Sequence, residues 1–176
     1  MHIKELSIEG LFEIYAIENS DSRGSFINIF RDNNLLFREA WGNRKIRQVN
    51  ISNNIKVGSI RGLHFQSNPY MDAKIVRCLS GKIWDVAIDL RVNSLTYCQW
   101  VATTLSPEKL NALFIPEGFA HGFQVLEPNS QVLYLHSQDW VPEFEKGYRW
   151  NDFKFKINWP LPLTEISMKD QLLPYF

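Results

Sequence analysis

The run AKIVRCLSGKIWDVAIDL, Ala73 to Leu90, restricts the fold more tightly than any other part of the chain. Its apolar residues alternate with period two and Ser80-Gly81 interrupts them, so it reads as two short strands. Glycine supplies a turn conformation that other residues resist, so KIVRCL and KIWDVAIDL are expected to pair as a hairpin. Strand-like runs recur as GLFEIYAI, GSFINIF, KIRQVNIS, QWVATTL, ALFIPEG, HGFQVLE and QVLYLHSQ. Many short strands at this spacing predict an all-β sandwich or barrel.

Helix is expected at NNLLFREAWG, with Asn available as an N-cap and Gly42 as the stop. Near the carboxyl end, PEFEKGYRWNDFKFKINWPLP is aromatic and punctuated by proline, and reads as an irregular covering segment. No repeat or linker divides the 176 residues, a length that suits one domain over 1–176. Hydrophobic residues make up 45% and aromatics 14%, enough for a packed core with aromatic surface to offer a ligand. Lys and Arg number 19, as do Asp and Glu, so no basic field draws the chain to nucleic acid. MHIKELSIEG lacks the charged start and long apolar run of a signal peptide, and no later run is long enough to cross a bilayer. A cytoplasmic protein without a membrane partner is expected. Cys78 and Cys98 form no C-x-x-C pair, and neither is assigned a disulfide or a catalytic role.

Polar residues at strand positions carry the functional signal. Gln48 and Asn50 share one face of their strand. In SIRGLHFQ, Arg61 lies on the approach to His64, with Gln66 two residues beyond, and a barrel would aim some of these inward. A lone histidine in a strand is more often hydrogen-bonded structure than catalyst, so His64 needs complementary groups elsewhere. Asp85 and Asp89 alternate with Trp84, Val86, Ile88 and Leu90, which leaves one face apolar and the other acidic. For Asp89 a solvent-facing edge is expected. In PEGFAHGF, Pro116, Gly118 and His121 have P-x-G-x-x-H spacing, and the flanking glycines let the backbone turn tightly around the imidazole.

P-x-G-x-x-H resembles the second half-motif of the cupin superfamily, jelly-roll barrels of two antiparallel sheets, and GLHFQ stands where metal-binding cupins have G-x-H-x-H. Where those cupins place His, His, Glu and His, this chain has His64, Gln66, Lys74 and His121. A charged lysine cannot ligate a divalent cation and glutamine binds transition metals poorly, so a metal-free pocket is expected.

With SIRGLHFQ, AKIVRCLSGKIWDVAIDLR, FIPEGFAHGFQVL and YRWNDFKFKINWP in this order, the chain resembles the dTDP-4-dehydrorhamnose 3,5-epimerase family of metal-independent cupins, from about Arg23 to Asp170. The resemblance implies an isomerase, active without a cofactor, that inverts C3, C5 or both of a nucleotide-diphosphate-linked 4-keto-6-deoxyhexose. It implies a homodimer serving deoxysugar biosynthesis, as for lipopolysaccharide O-antigen. It implies His64 as the base, Asp170 as its carboxylate partner, Lys74 as the cation near the enolate oxygen, and Tyr134 as the proton donor on the opposite face. It further implies that Arg23, Gln48, Asn50, Arg61 and His121 bind substrate or line the pocket, arginine suiting a diphosphate through bidentate geometry.

Two positions depart from the family pattern. A glutamate is replaced by Asn28 at the pocket edge, and a tyrosine six residues beyond Tyr134 is replaced by Trp140. An aromatic packed against the sugar could control whether the ring turns over between the two events, so the number of carbons inverted stays open. A cupin that only holds a nucleotide sugar has no need of both a base and a proton donor. Gln66 separates the chain from the sugar 3,4-ketoisomerase pattern, which has a second histidine in that neighbourhood.

Overall fold

The computed structural model describes residues 1–31 and 35–176, without the side chain of residue 36. Its strands are β1 (His2–Glu5), β2 (Phe12–Tyr15), β3 (Glu18–Asp21), β4 (Gly24–Ile27), β5 (Gln48–Asn54), β6 (Ile60–Gln66), β7 (Lys74–Ser80), β8 (Ile83–Asp89), β9 (Trp100–Leu105), β10 (Asn111–Ile115), β11 (Phe119–Val125), β12 (Ser130–His136) and β13 (Glu145–Gly147). Two short α-helices, α1 (Leu35–Trp41) and α2 (Met168–Gln171), and single 3-10 turns at Pro107–Lys109 and Pro142–Phe144 join them. One sheet runs β1-β2-β10-β7-β12-β5 and the other β13-β6-β11-β8-β9, while β3 and β4 form a separate ribbon. Pairing is antiparallel, in keeping with the sandwich or barrel read from the strand spacing and with the two-sheet jelly roll that the cupin resemblance implies.

Alternation sorts the side chains into three layers. Val76, Cys78, Leu113, Ile115 and Val132 from the first sheet meet Ile83, Ala87, Leu105, Phe123 and Val125 from the second. On the outer face of the first sheet, Phe37 and Trp41 of α1 cover Phe12, Ile14, Ile75 and Phe114. On the outer face of the second, Phe155, Tyr148 and Trp159 of the carboxyl-terminal segment cover Leu63, Val86 and Ile88. Each large apolar side chain buried in these layers is worth roughly 1.5–3 kcal/mol. The covering role expected of that segment therefore holds, although its residues 145–147 also add β13 to the edge of β6. Helix α1 ends at Gly42, whose φ of 65° is the left-handed stop. The N-cap asparagines lie outside the described residues.

Two expectations fail. KIVRCL and KIWDVAIDL do not pair: β7 lies between β10 and β12 in one sheet, and β8 lies between β11 and β9 in the other. Ser80-Gly81 is the corner that carries the chain across the barrel. Gly81 has φ 70°, and a Cβ there would stand 2.9 Å from the Ser130 Cα. The Asp89 edge is also not an edge. Asp89 is fully buried, its carboxylate accepting from Arg91, Ser94 and Thr96. The apolar face of β8 is covered by the carboxyl-terminal segment, and so Asp85 on its other face points into the barrel, where it meets His121.

Candidate active site

A cavity of about 1040 Å³ opens between the sheets. Strand pairing builds its two walls. On the first sheet, Lys74, His136 and Gln48 are aligned across β7, β12 and β5, and Val76, Tyr134 and Asn50 form the next row. On the second, His64 faces His121 across β6 and β11, and Arg61 faces Phe123. Arg61 and His64 are three residues apart and would lie on opposite faces of a regular strand. A bulge between His121 and Phe123 corrects this, setting Gly62 and Leu63 of β6 against Gly122 alone of β11. Gly62 makes it possible: its φ is 116°, and a Cβ there would meet the His121 carbonyl at 2.7 Å.

His64 Nε2 stands 2.8 Å from Asp170 Oδ1. Asp170 Oδ2 accepts the Gly62 N–H at 3.1 Å, and the Ser167 hydroxyl caps the turn that carries the carboxylate. Burial would push the Asp170 carboxyl up, but the bond and charge of His64, with the Gly62 N–H, outweigh it and lower the pKa. An ionised Asp170 accepts a proton-bearing Nε2, which leaves the lone pair on Nδ1.

Tyr134 approaches from the other sheet. Burial raises its pKa, and its hydroxyl has Ser52 Oγ at 3.4 Å, so it is a protonated phenol at neutral pH. Lys74 Nζ lies 3.5 Å from Asp72 Oδ2 in a side chain only 11% exposed. His121 Nε2 bonds Asp85 Oδ2 at 2.8 Å, while Asp85 Oδ1 is buried without a hydrogen-bond partner among the described residues, and burial raises that carboxyl despite the histidine. Arg61 is steadied by Asn54 Oδ1 at 2.6 Å. At the mouth, the Trp140 backbone N–H donates to Gln48 Oε1, and its indole N–H donates to Glu145 Oε2, which also pairs with Lys169.

The arrangement puts a histidine–carboxylate pair on one wall, and a phenol and an ammonium on the other. The sequence profile described as dTDP-4-dehydrorhamnose 3,5-epimerase matches residues 5–176. The chain belongs to that family. It is 38% identical over 175 residues to the dTDP-4-dehydrorhamnose 3,5-epimerase of Sinorhizobium fredii, covering 99% of this chain and 89% of the relative. The crystal structure of NovW, a 4-keto-6-deoxy sugar epimerase from the novobiocin gene cluster of Streptomyces spheroides, superposes with a TM-score of 0.93 at 34% identity, covering 99% of this chain and 87% of that one. ChmJ, a 3′-monoepimerase from Streptomyces bikiniensis solved with dTDP-quinovose, gives a TM-score of 0.88 at 30% identity, covering 99% and 87%. The fold is thus that of the cupin-type sugar epimerases, and the family makes the chain an isomerase.

His64, Asp170, Lys74, Tyr134, Gln48, Asn50, Arg61, His121 and Trp140 all line the one cavity. Arg23 and Asn28 do not. Arg23 sits on the β3–β4 ribbon with its side chain 87% exposed and paired to Asp21, and Asn28 lines a separate recess of about 280 Å³. Among the described residues, no group of three or more His, Cys, Asp and Glu is set to hold a metal ion. Gln66 is committed to loops, donating to the Tyr70 and Asp139 carbonyls and accepting the Val141 N–H. Sequence reasoning missed Asp72, His136, Glu145 and Lys169. His136 was accessible, since it follows Tyr134 by two and shares its face; Asp72 and Glu145 had no periodic signal.

Proposed function

We propose that the protein inverts C3, C5 or both of a nucleotide-diphosphate-linked 4-keto-6-deoxyhexose of the dTDP-4-dehydro-6-deoxyglucose type, in deoxysugar biosynthesis. The observation that carries this reading is the placing of His64–Asp170 and of Tyr134–Lys74 on opposite walls of one cavity. His64 Nδ1 takes the proton α to the ketone and becomes an imidazolium facing the Asp170 carboxylate. The electron pair moves into the enolate, whose oxygen is met by the Lys74 ammonium in a water-poor setting where a fixed charge acts strongly. Tyr134 returns a proton to the carbon from the other face, and the configuration inverts. One domain over 1–176 suffices for these steps.

The reaction as drawn needs no cofactor. The Gln66 amide and Lys74 ammonium, at positions where a metal-binding cupin needs ligands, support a metal-free site. Two features favour a homodimer. Val49 and Ile51 are exposed on the edge strand β5, and the β3–β4 ribbon, carrying Arg23 and an exposed Phe26, belongs to neither sheet. A second copy that covered these surfaces would bring the Arg23 guanidinium towards a neighbouring cavity as a diphosphate ligand. No helix among the described residues is long and apolar enough to cross a membrane.

Trp140 favours inversion at a single carbon. Its indole is larger than a phenol, and it stands at the mouth of the cavity that the sugar ring must turn within. The test is incubation with dTDP-, CDP- and GDP-linked 4-keto-6-deoxy sugars in deuterated water, followed by NMR. Deuterium at C3 or C5 is the expected result. No incorporation from any of them overturns the reading.

A further inference from the structure

The cavity contains a third imidazole, that of His136, for which the reaction as drawn has no task. Its ring stacks on Tyr134 at 5.8 Å and 19°. His136 Nδ1 lies 2.7 Å from Asp72 Oδ2. That oxygen is also the one Lys74 Nζ faces, at 3.5 Å. The second carboxylate oxygen, Oδ1, accepts the backbone N–H groups of Ser137 at 3.0 Å and Gln138 at 3.2 Å. A charge-assisted N–H···O bond normally spans about 2.7–2.9 Å, so Lys74 is a neighbour of Asp72 and not its bonded partner.

Directions along the wall agree with this. Gln48 Nε2 donates to Asn50 Oδ1, and the Asn50 amide N lies 3.5 Å from His136 Nε2. Nε2 then accepts, and Nδ1–H is left to donate to Asp72. Strand pairing enforces the competition, since His136 is directly opposite Lys74 in the register of β12 and β7. Both members of the Lys74–Asp72 pair are buried, so a small change in their separation changes strongly how much of the lysine charge is available.

We propose that His136 is a positioning residue for the epimerisation: by occupying Asp72 Oδ2 it keeps the Lys74 ammonium from closing onto the carboxylate and leaves its donors free for the enolate oxygen. The proposal rests on the epimerase reading above. In its absence, Oδ2 is open and Lys74 moves into a short, charge-neutralising bond.

The test uses His136→Phe, which keeps a ring to stack on Tyr134, and His136→Asn, whose amide N–H can stand in for Nδ1–H. Phe should lower kcat for deuterium exchange roughly tenfold by the Coulomb change of such a shortening, with KM little altered. Asn should recover most of the rate, and so should adding Asp72→Asn to the Phe variant, because the competing anion is then gone. A crystal structure of His136→Phe should show the Lys74–Asp72 separation shortened from 3.5 Å to a direct hydrogen bond. An unchanged separation, or a kcat loss in a folded Phe variant that Asp72→Asn does not relieve, overturns the proposal. If the bond shortens but even the unmodified protein exchanges no substrate proton, the positioning stands and the epimerase reading fails.

Discussion

Asp170→Asn removes one negative charge from the dyad while keeping the side-chain shape. Asp170 Oδ1 is 2.8 Å from His64 Nε2, which puts the charge centres of carboxylate and imidazolium about 4 Å apart. Their attraction is roughly 4 kcal/mol at an effective dielectric constant of about 20. The His64 side chain is 30% exposed, so solvent screening takes this down to about 2 kcal/mol. That alone slows proton abstraction about 30-fold, since 1.36 kcal/mol is a factor of ten. The amide can also donate to Nε2, which shifts the ring proton to Nδ1 and removes the lone pair acting as base, a loss of up to about 10⁴-fold where a triad aspartate is changed to asparagine. The expected fall in the deuterium-exchange rate is therefore at least 30-fold, with KM little changed. The assay is NMR of substrate in deuterated water at saturating concentration, with a melting curve to confirm folding. Asn can still accept the Gly62 N–H, so the fold should persist. A folded Asp170→Asn protein exchanging within about threefold of the original rate would refute the argument that this carboxylate holds and charges the base.

Tyr134→Phe should leave wash-out of the substrate proton by His64 intact while inversion falls about 10²-fold or more, because the acid on the other face is gone; inverted product at the original rate would show another donor. Trp140→Tyr should spread deuterium from one carbon to both, whereas prompt labelling of C3 and C5 by the unmodified protein would remove Trp140 from that role. Asp72, Asp89 and Asp170 have lowered pKa values, since their hydrogen-bond donors and cationic neighbours outweigh the upward push of burial. The stability they contribute is then fully present above about pH 4 and lost as pH falls through their lowered values. Asp85, raised by burial, works in the opposite sense. The melting temperature should drop steeply in acid, and Asp89→Asn should flatten that drop while costing about 2–4 kcal/mol at neutral pH through the unpaired Arg91. An acid profile unaltered by Asp89→Asn would exclude this residue as its source.

The residues that line the candidate site were legible because strands and tight motifs carry them. RGLH-x-Q and P-x-G-x-x-H are local constraints, and alternation ties Gln48 to Asn50 wherever the strand ends up. What alternation cannot report is what covers each face. Asp89 read as exposed because the segment that buries the apolar side of β8 arrives from Tyr148 to Trp159, far along the chain. Ser80-Gly81 read as a hairpin because adjacency in sequence favours pairing, yet β7 and β8 each found other strands to pair with and the turn became a corner between sheets. Arg61 and His64 share a wall only through a bulge that the partner strand and Gly62 create together. Asp72 enters the site from a loop and Glu145 from the first position of the three-residue strand β13, both too short to show a periodicity. The sequence by itself determined which side chains could do the chemistry and which neighbours share a face, since those follow from covalent spacing at about 3.3 Å per residue. That His64 and Tyr134 stand on opposite walls follows from the tertiary structure alone, because that relation depends on how two sheets pack, and packing is settled by contacts between residues distant in the chain.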